Sequence, residues 1–132
     1  MDVFISLLKV IWDVEVMRFV EGIFRGALQS LLEAIDKIDD YSNTFKNADD
    51  FYHDSKSFDA SMMQFVVIGE IVTRLDKNYK QTHSTIPWQK VKDFRNIIAH
   101  DYFGIDADEI WSIIQHHLLP LRKNIQVLIE EN

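Results

Sequence analysis

Apolar residues recur at intervals of three and four through most of the chain, the spacing that lines one face of an α-helix. In residues 1–25 they are Phe4, Leu8, Ile11, Trp12, Val16, Phe19, Val20, Ile23 and Phe24, interrupted by Lys9, Asp13, Glu15, Arg18 and Glu21. This pattern predicts an amphipathic helix packed on the core or on a second protomer. A membrane span needs about twenty mostly apolar residues, and those charges argue against one. A secretory leader also fits poorly. Asp2 stands where a basic segment belongs, and no small-residue cleavage site closes the apolar run. Initiation at Met17 is an alternative reading of the same segment. Gly22 and Gly26 each weaken a helix by about 1 kcal/mol relative to Ala, so a bend or break is expected there.

From Ala27 the pattern resumes, with Leu28, Leu31, Leu32, Ile35, Ile38 and Tyr41 on one face and Glu33, Asp36, Lys37, Asp39 and Asp40 on the other. This helix should end near Ser42-Asn43-Thr44. Residues 46–57 are mainly polar and read as a connection holding one short helical turn. Residues 58–80 give the clearest helix, with Phe58, Met62, Phe65, Gly69, Val72, Leu75 and Tyr79 on a stripe wide enough for a central position. Gly69 in that stripe points to close helix–helix approach. Glu70 beside it is a carboxylate in an apolar run and needs a partner, for which an arginine is the natural choice. After a loop, Thr85-Ile86-Pro87-Trp88 reads as a capped helix start with proline in the first turn. Trp88, Val91, Phe94, Ile97 and Ile98 form its core stripe, and Arg95 and Asn96 lie off it. The pattern fades after Ala99, and Gly104 supports a termination. Asp106, with Glu109 three residues on, caps a last helix running from Ile110 to Ile129 and kinked at Pro120. The expected fold is an all-α, up-down bundle of four to five helices over residues 27–132, preceded by a helical extension over residues 1–26.

Composition sharpens this picture in two places. The 132 residues can bury one core, and 4 Gly with 2 Pro are too few for a turn-rich β fold. With no cysteine there is no disulfide or thiolate metal site, which fits a reducing cytoplasm. The net charge of -7 disfavours bulk nucleic-acid affinity but is unevenly spread. Six bases oppose thirteen acids in residues 1–73, six oppose two in residues 74–100, and two oppose six in residues 101–132, giving -7, +4 and -4. The only positive segment therefore ends at Arg95-Asn96-Ile97-Ile98-Ala99-His100-Asp101-Tyr102. Elsewhere candidate chemistry is thin. His53 among Asp49, Asp50 and Asp54 reads as a solvated loop, and His116 and His117 read as structural or surface groups. No phosphate loop, nucleophile motif or zinc helix is present.

Arg95-x4-His100-x-Tyr102 resembles the Arg-x4-His-x-Tyr signature of HEPN-domain proteins, and more narrowly is similar to that of HepT toxins of HepT/MntA toxin–antitoxin systems. The likeness extends to Leu31–Ile38, Val67-Ile68-Gly69-Glu70, Ile86-Pro87-Trp88, Tyr102–Asp106, Trp111 and Leu118-Leu119-Pro120-Leu121. It covers about residue 27 to the end. It implies a homodimer with two motifs facing one cleft, and a metal-independent endoribonuclease acting on cellular RNA, tRNA or mRNA, with no cofactor. It also implies silencing by a small nucleotidyltransferase antitoxin that adds AMP to Tyr102.

The residues can be read separately for chemistry. An imidazole, with an ordinary pKa of about 6.5, suits His100 to proton transfer at the 2′-hydroxyl. A guanidinium suits Arg95 to a phosphorane. Asn96 would orient His100 or bind a phosphate oxygen, or else close a helix end. Glu70 and Gly69 would support the arginine. Five residues on an ideal helix stand about 140° apart. Arg95 and His100 therefore converge only if the helix loosens before His100 or if each site draws on two protomers. A non-catalytic helical subunit that presents substrate to a nucleotidyltransferase is the competing reading. A third makes residues 1–25 a peripheral membrane anchor, against which stands the acidic polar face of that helix.

Overall fold

A computed structural model of the chain describes residues 2–131, and every regular element in that range is helical. Helix α1 runs from Asp2 to Ser42 without interruption. The break expected at Gly22 and Gly26 does not occur. Nothing lies within 4 Å of a Cβ built at either residue. Their propensity cost is carried by an already nucleated helix, in which each added residue gains a hydrogen bond. Burial in α1 starts only at Leu28 and continues through Leu31, Ala34, Ile35 and Ile38. The helix stops where Ser42 Oγ turns back to donate to the Ile38 carbonyl at 2.7 Å.

The polar stretch 46–57 is more ordered than a connection. Its polar residues are helix caps: Asn47 accepts from Asp50 N to start α2 (Ala48–His53), and Asp54 accepts from Ser57 N to start α3 (Ser55–Arg74). Phe51, fully buried, anchors α2 by ring contacts to Phe45, Phe58 and Trp111. The long helix expected over residues 58–80 is in fact two. Leu75 turns extended, and Asp76 accepts from Tyr79 N to open α4 (Lys77–Thr82). Lys80 Nζ then reaches back 3.0 Å to the Val72 carbonyl, placing a cation on the negative end of α3. Tyr79 stacks on Phe24, with centroids 4.4 Å apart, where α1 enters the bundle.

Helix α5 spans Trp88–His100. Pro87 occupies its N-cap position, not its first turn, and Thr85 forms no cap; the start is held instead by Trp88 N donating to the Ile86 carbonyl at 2.9 Å. A 3-10 turn over Tyr102–Gly104 leads to α6 (Ala107–His116), whose cap Asp106 accepts from Asp108 N and Glu109 N. The kink at Pro120 is a full break three residues earlier, at His117, before α7 (Leu118–Glu131). Proline has no N–H to give the His116 carbonyl, and its ring crowds that carbonyl.

α1 packs mainly on α3 and α7, α3 on α5, and α2 on α3 and α6. The result is an all-α fold with five helices of ten residues or more among the described residues. Arg122 ties α7 to α1 through Asp36 at 2.8 Å. None of these helices is long and apolar enough to cross a membrane.

Candidate active site at the end of helix α5

α3 and α5 run antiparallel: Phe65 meets Phe94, Gly69 and Glu70 meet Arg95, and Asp59 meets Tyr102 beyond the end of α5. The crossing is close at Gly69, where a built Cβ would collide with Cβ and Cγ of Arg95. That contact lays the arginine along α3. Arg95 Nη1 donates to Glu70 Oε1 at 2.7 Å and Nη2 to Thr73 Oγ1 at 3.2 Å. Thr73 in turn donates to the Gly69 carbonyl at 2.8 Å. Arg95 Nε is buried with no hydrogen-bond partner. Glu70 therefore finds its arginine, and it is the arginine of the motif.

α5 keeps helical geometry through His100, and Asp101 N closes it on the Ile97 carbonyl at 2.9 Å. The loosening before His100 that would let Arg95 and His100 converge within one chain is absent. On a continuous helix the two stand about 140° apart and about 7.5 Å along the axis. His100 is exposed and Asn96 half-buried, with no side-chain hydrogen bond at either among the described residues. The Asp101 carboxylate packs over Gly104, and a Cβ there would push the tip of that side chain aside.

That turn carries Tyr102 onto the start of α3. Its ring packs edge-on against Phe58 at 6.5 Å, and its hydroxyl donates to Asp59 Oδ1. Partial burial, then the hydrogen bond and negative charge of Asp59, push the Tyr102 phenol up to about 12. The hydroxyl is held in place and protonated.

Asp59 and Thr73 were missed from sequence. A signal exists: Asp59, Glu70 and Thr73 are spaced eleven and three apart and so fall on one stripe of α3, interrupting its apolar surface. The expected core stripe of α5 also needs correction. Ile97 is 55% exposed and, with Val91 and Phe94, lines an apolar groove of about 500 Å³ against Ile113 and Leu121. A residue periodic with a core can still face outward when no neighbouring helix covers that arc. Among the described residues no cluster of three or more His, Cys, Asp or Glu could hold a metal ion.

No solved structure matches the chain. Among relatives, it is 30% identical over 107 residues to a putative RNase of Methanocaldococcus jannaschii, covering 81% of this chain and 88% of that protein. It is 27% identical over 101 residues to the probable ribonuclease HepT of Thermococcus cleftensis, covering 76% and 91%. A longer M. jannaschii protein, named gamma-glutamylcyclotransferase and putative RNase, is 29% identical over 104 residues. There the match spans 79% of this chain but only 46% of the relative. The model of the family described as "Ribonuclease HepT-like" matches residues 31–128, which hold all of α3, α5 and the turn beyond it. The chain belongs to the HepT-like ribonuclease family.

Proposed function

We propose that this protein is a metal-independent endoribonuclease, the toxin of a toxin–antitoxin pair, built as a homodimer in which each site takes Arg95 from one protomer and His100 from the other. The observation that carries the reading is the continuity of α5 through His100, which separates the two groups within a chain that holds the whole Arg-x4-His-x-Tyr signature. The exposed Ile97 and its apolar groove, adjoining this end of α5, support a protein contact there.

In the reaction His100 moves the proton of a 2′-hydroxyl. The 2′-oxygen bonds to phosphorus, the 5′-oxygen leaves with a proton, and a 2′,3′-cyclic phosphate results. Arg95 neutralises the phosphorane. Its existing partner does not prevent this. Glu70 is 42% exposed, so water screens its charge and can take over its hydrogen bonds, whereas a charge-assisted bond to phosphate is worth roughly 1.5–3 kcal/mol. Asn96, half-buried one residue on, orients His100 or a phosphate oxygen.

A nucleotidyltransferase antitoxin silences the enzyme by adding AMP to Tyr102. A bulky anion there, two residues from His100, blocks RNA and competes for Arg95. In the competing reading the chain is a non-catalytic subunit that presents substrate to a nucleotidyltransferase. The retained Arg, His and Tyr favour the enzyme.

Arg95→Ala and His100→Ala should each abolish cleavage of RNA in EDTA. Random mixing of the two variants should restore activity to about a quarter of wild type, because half the dimers are mixed and one of their two sites is intact. A mixture as dead as its parents rejects the shared site. Undiminished cleavage by His100→Ala rejects the enzyme reading. Intact mass after co-expression with a nucleotidyltransferase should rise by AMP increments, and Tyr102→Phe should abolish the rise.

A further inference from the structure

The first half of α1 is the largest surface that the site does not use. Between Val3 and Ile23, fourteen large apolar side chains are each 38% or more exposed. Phe4, Trp12 and Phe19, at 63%, 67% and 70% exposure, leave roughly 300–500 Å² of ring in water, taking about 150–250 Å² per aromatic side chain. Those three rings alone match the largest apolar patch of an ordinary monomer, roughly 300–600 Å². A helix apolar around so much of its circumference lacks neighbours on more than one side; Trp12 and Phe19, a heptad apart, share one arc, and the arc that faces away from them carries a regular seam.

Its spacing identifies the neighbour. Inside the bundle the core face of α1 runs Leu28, Leu31, Ile35, Ile38 and Ser42, a strict alternation of threes and fours. The same alternation continues backwards without a slip through Phe24, Glu21, Met17, Val14, Val10, Leu7 and Val3. A repeat of 3.5 residues sustained over three heptads is a coiled-coil seam. The bundle fills this seam up to Phe24, where Tyr79 stacks on it, and nothing fills it beyond.

We propose that a second copy of the same helix fills the seam, running antiparallel, with Leu7 of one copy opposite Met17 of the other and Val10 opposite Val14. Charge selects the direction. A parallel pair would bury Glu21 against Glu21, among the costliest contacts a seam can hold. The antiparallel pair sets Glu21 opposite Val3, beside the positive N-terminal end of the other helix. The one like-charge meeting it creates, between the two Asp13 side chains, lies at the solvent edge where such terms are small. Shape agrees, because parallel helices would bring both bundles to one end, where α3 and α4 already occupy the seam side. Length agrees as well. The two overhangs, Val3 to Ile23, are each about 30 Å and overlap fully, each ending where the other's bundle begins. This contact lies outside the family-matched region and is independent of the ribonuclease reading.

The chain has no cysteine, so introduced ones report without background. Full-length Val10→Cys and Val14→Cys proteins, mixed and oxidised, should give a mixed disulfide in preference to either self-linked dimer. Sedimentation of Leu7→Glu/Val14→Glu, both exposed positions outside the bundle core, should halve the particle mass with helix content retained. Preferential self-linking of Val10→Cys overturns the antiparallel register. Unchanged mass in the double variant, together with no preferential Val10–Val14 cross-link, overturns the contact, whereas unchanged mass with that cross-link present means that the α5 contact joins the same two protomers. Absence of any cross-link, with the wild type floating on phosphatidylglycerol vesicles or retaining this surface only with another protein, assigns the surface to that other occupant.

Discussion

Arg95 is both a structural and a chemical side chain. Its first carbons fill the space that Gly69 leaves, and its guanidinium spans Glu70 and Thr73 while Nε stays unpaired. The need for an arginine at Glu70 was legible, because a carboxylate in an apolar run rarely stands alone. Asp59 was not, because an acid in the first turns of a helix reads as a solvated charge favoured by the dipole. Its role depends on a fold-back at Gly104 that spacing cannot reveal. The consequence of Asp59 is measurable. A phenol whose folded pKa is raised contributes stability below its unfolded value near 10 and loses it as pH climbs towards 12. In a spectrophotometric titration, the difference between wild type and Tyr102→Phe should place this tyrosine near 12. Asp59→Asn removes the charge, so the midpoint should fall towards 10. An unchanged midpoint would mean that burial alone holds the proton.

At the scale of elements, the helices were readable and their joints were not. Periodicity found the buried face of α1 from Leu28, the α3 stripe, and the Asp106 cap of α6. It ran straight through Leu75 because Tyr79 stays in phase with the α3 stripe although it belongs to α4. The clue was Asp76, whose cap geometry competes with helix continuation. At Gly22 and Gly26 the error ran the other way, since two weak formers were given the power to break a helix that propagation carries through. The α3–α5 joint is the one the site depends on, and Gly69 sets its spacing. Gly69→Ala would gain helix propensity, but its methyl collides with Cβ and Cγ of Arg95, near the backbone and unable to swing away. Overpacking of this kind costs about 1–3 kcal/mol, more than the gain of about 1. A lower urea midpoint for Gly69→Ala should follow, and a raised one would mean that the two helices separate freely.

At the scale of the molecule, one helix lives in two environments. From Leu28 to Ser42, α1 is the spine on which α3 and α7 pack; from Val3 to Ile23 it stands clear of the bundle. The sequence carries similar apolar density through both halves, so the division expected after residue 26 came from Gly22, Gly26 and the reach of the family resemblance and not from the apolar pattern itself. Burial is a property of neighbours, and periodicity records only which face would accept one. The two halves should therefore answer the same substitution differently. Leu31 is 1% exposed and Leu8 is 50% exposed, on one continuous helix. Leu31→Ala leaves a cavity under α3 and should cost about 2–5 kcal/mol in urea unfolding. Leu8 lies off the coiled-coil seam, so Leu8→Ala should move the bundle's midpoint by no more than about 0.5 kcal/mol. Equal losses at the two positions would mean that the overhang folds back onto its own bundle, and the seam from Val3 to Glu21 would then have no room for a second copy.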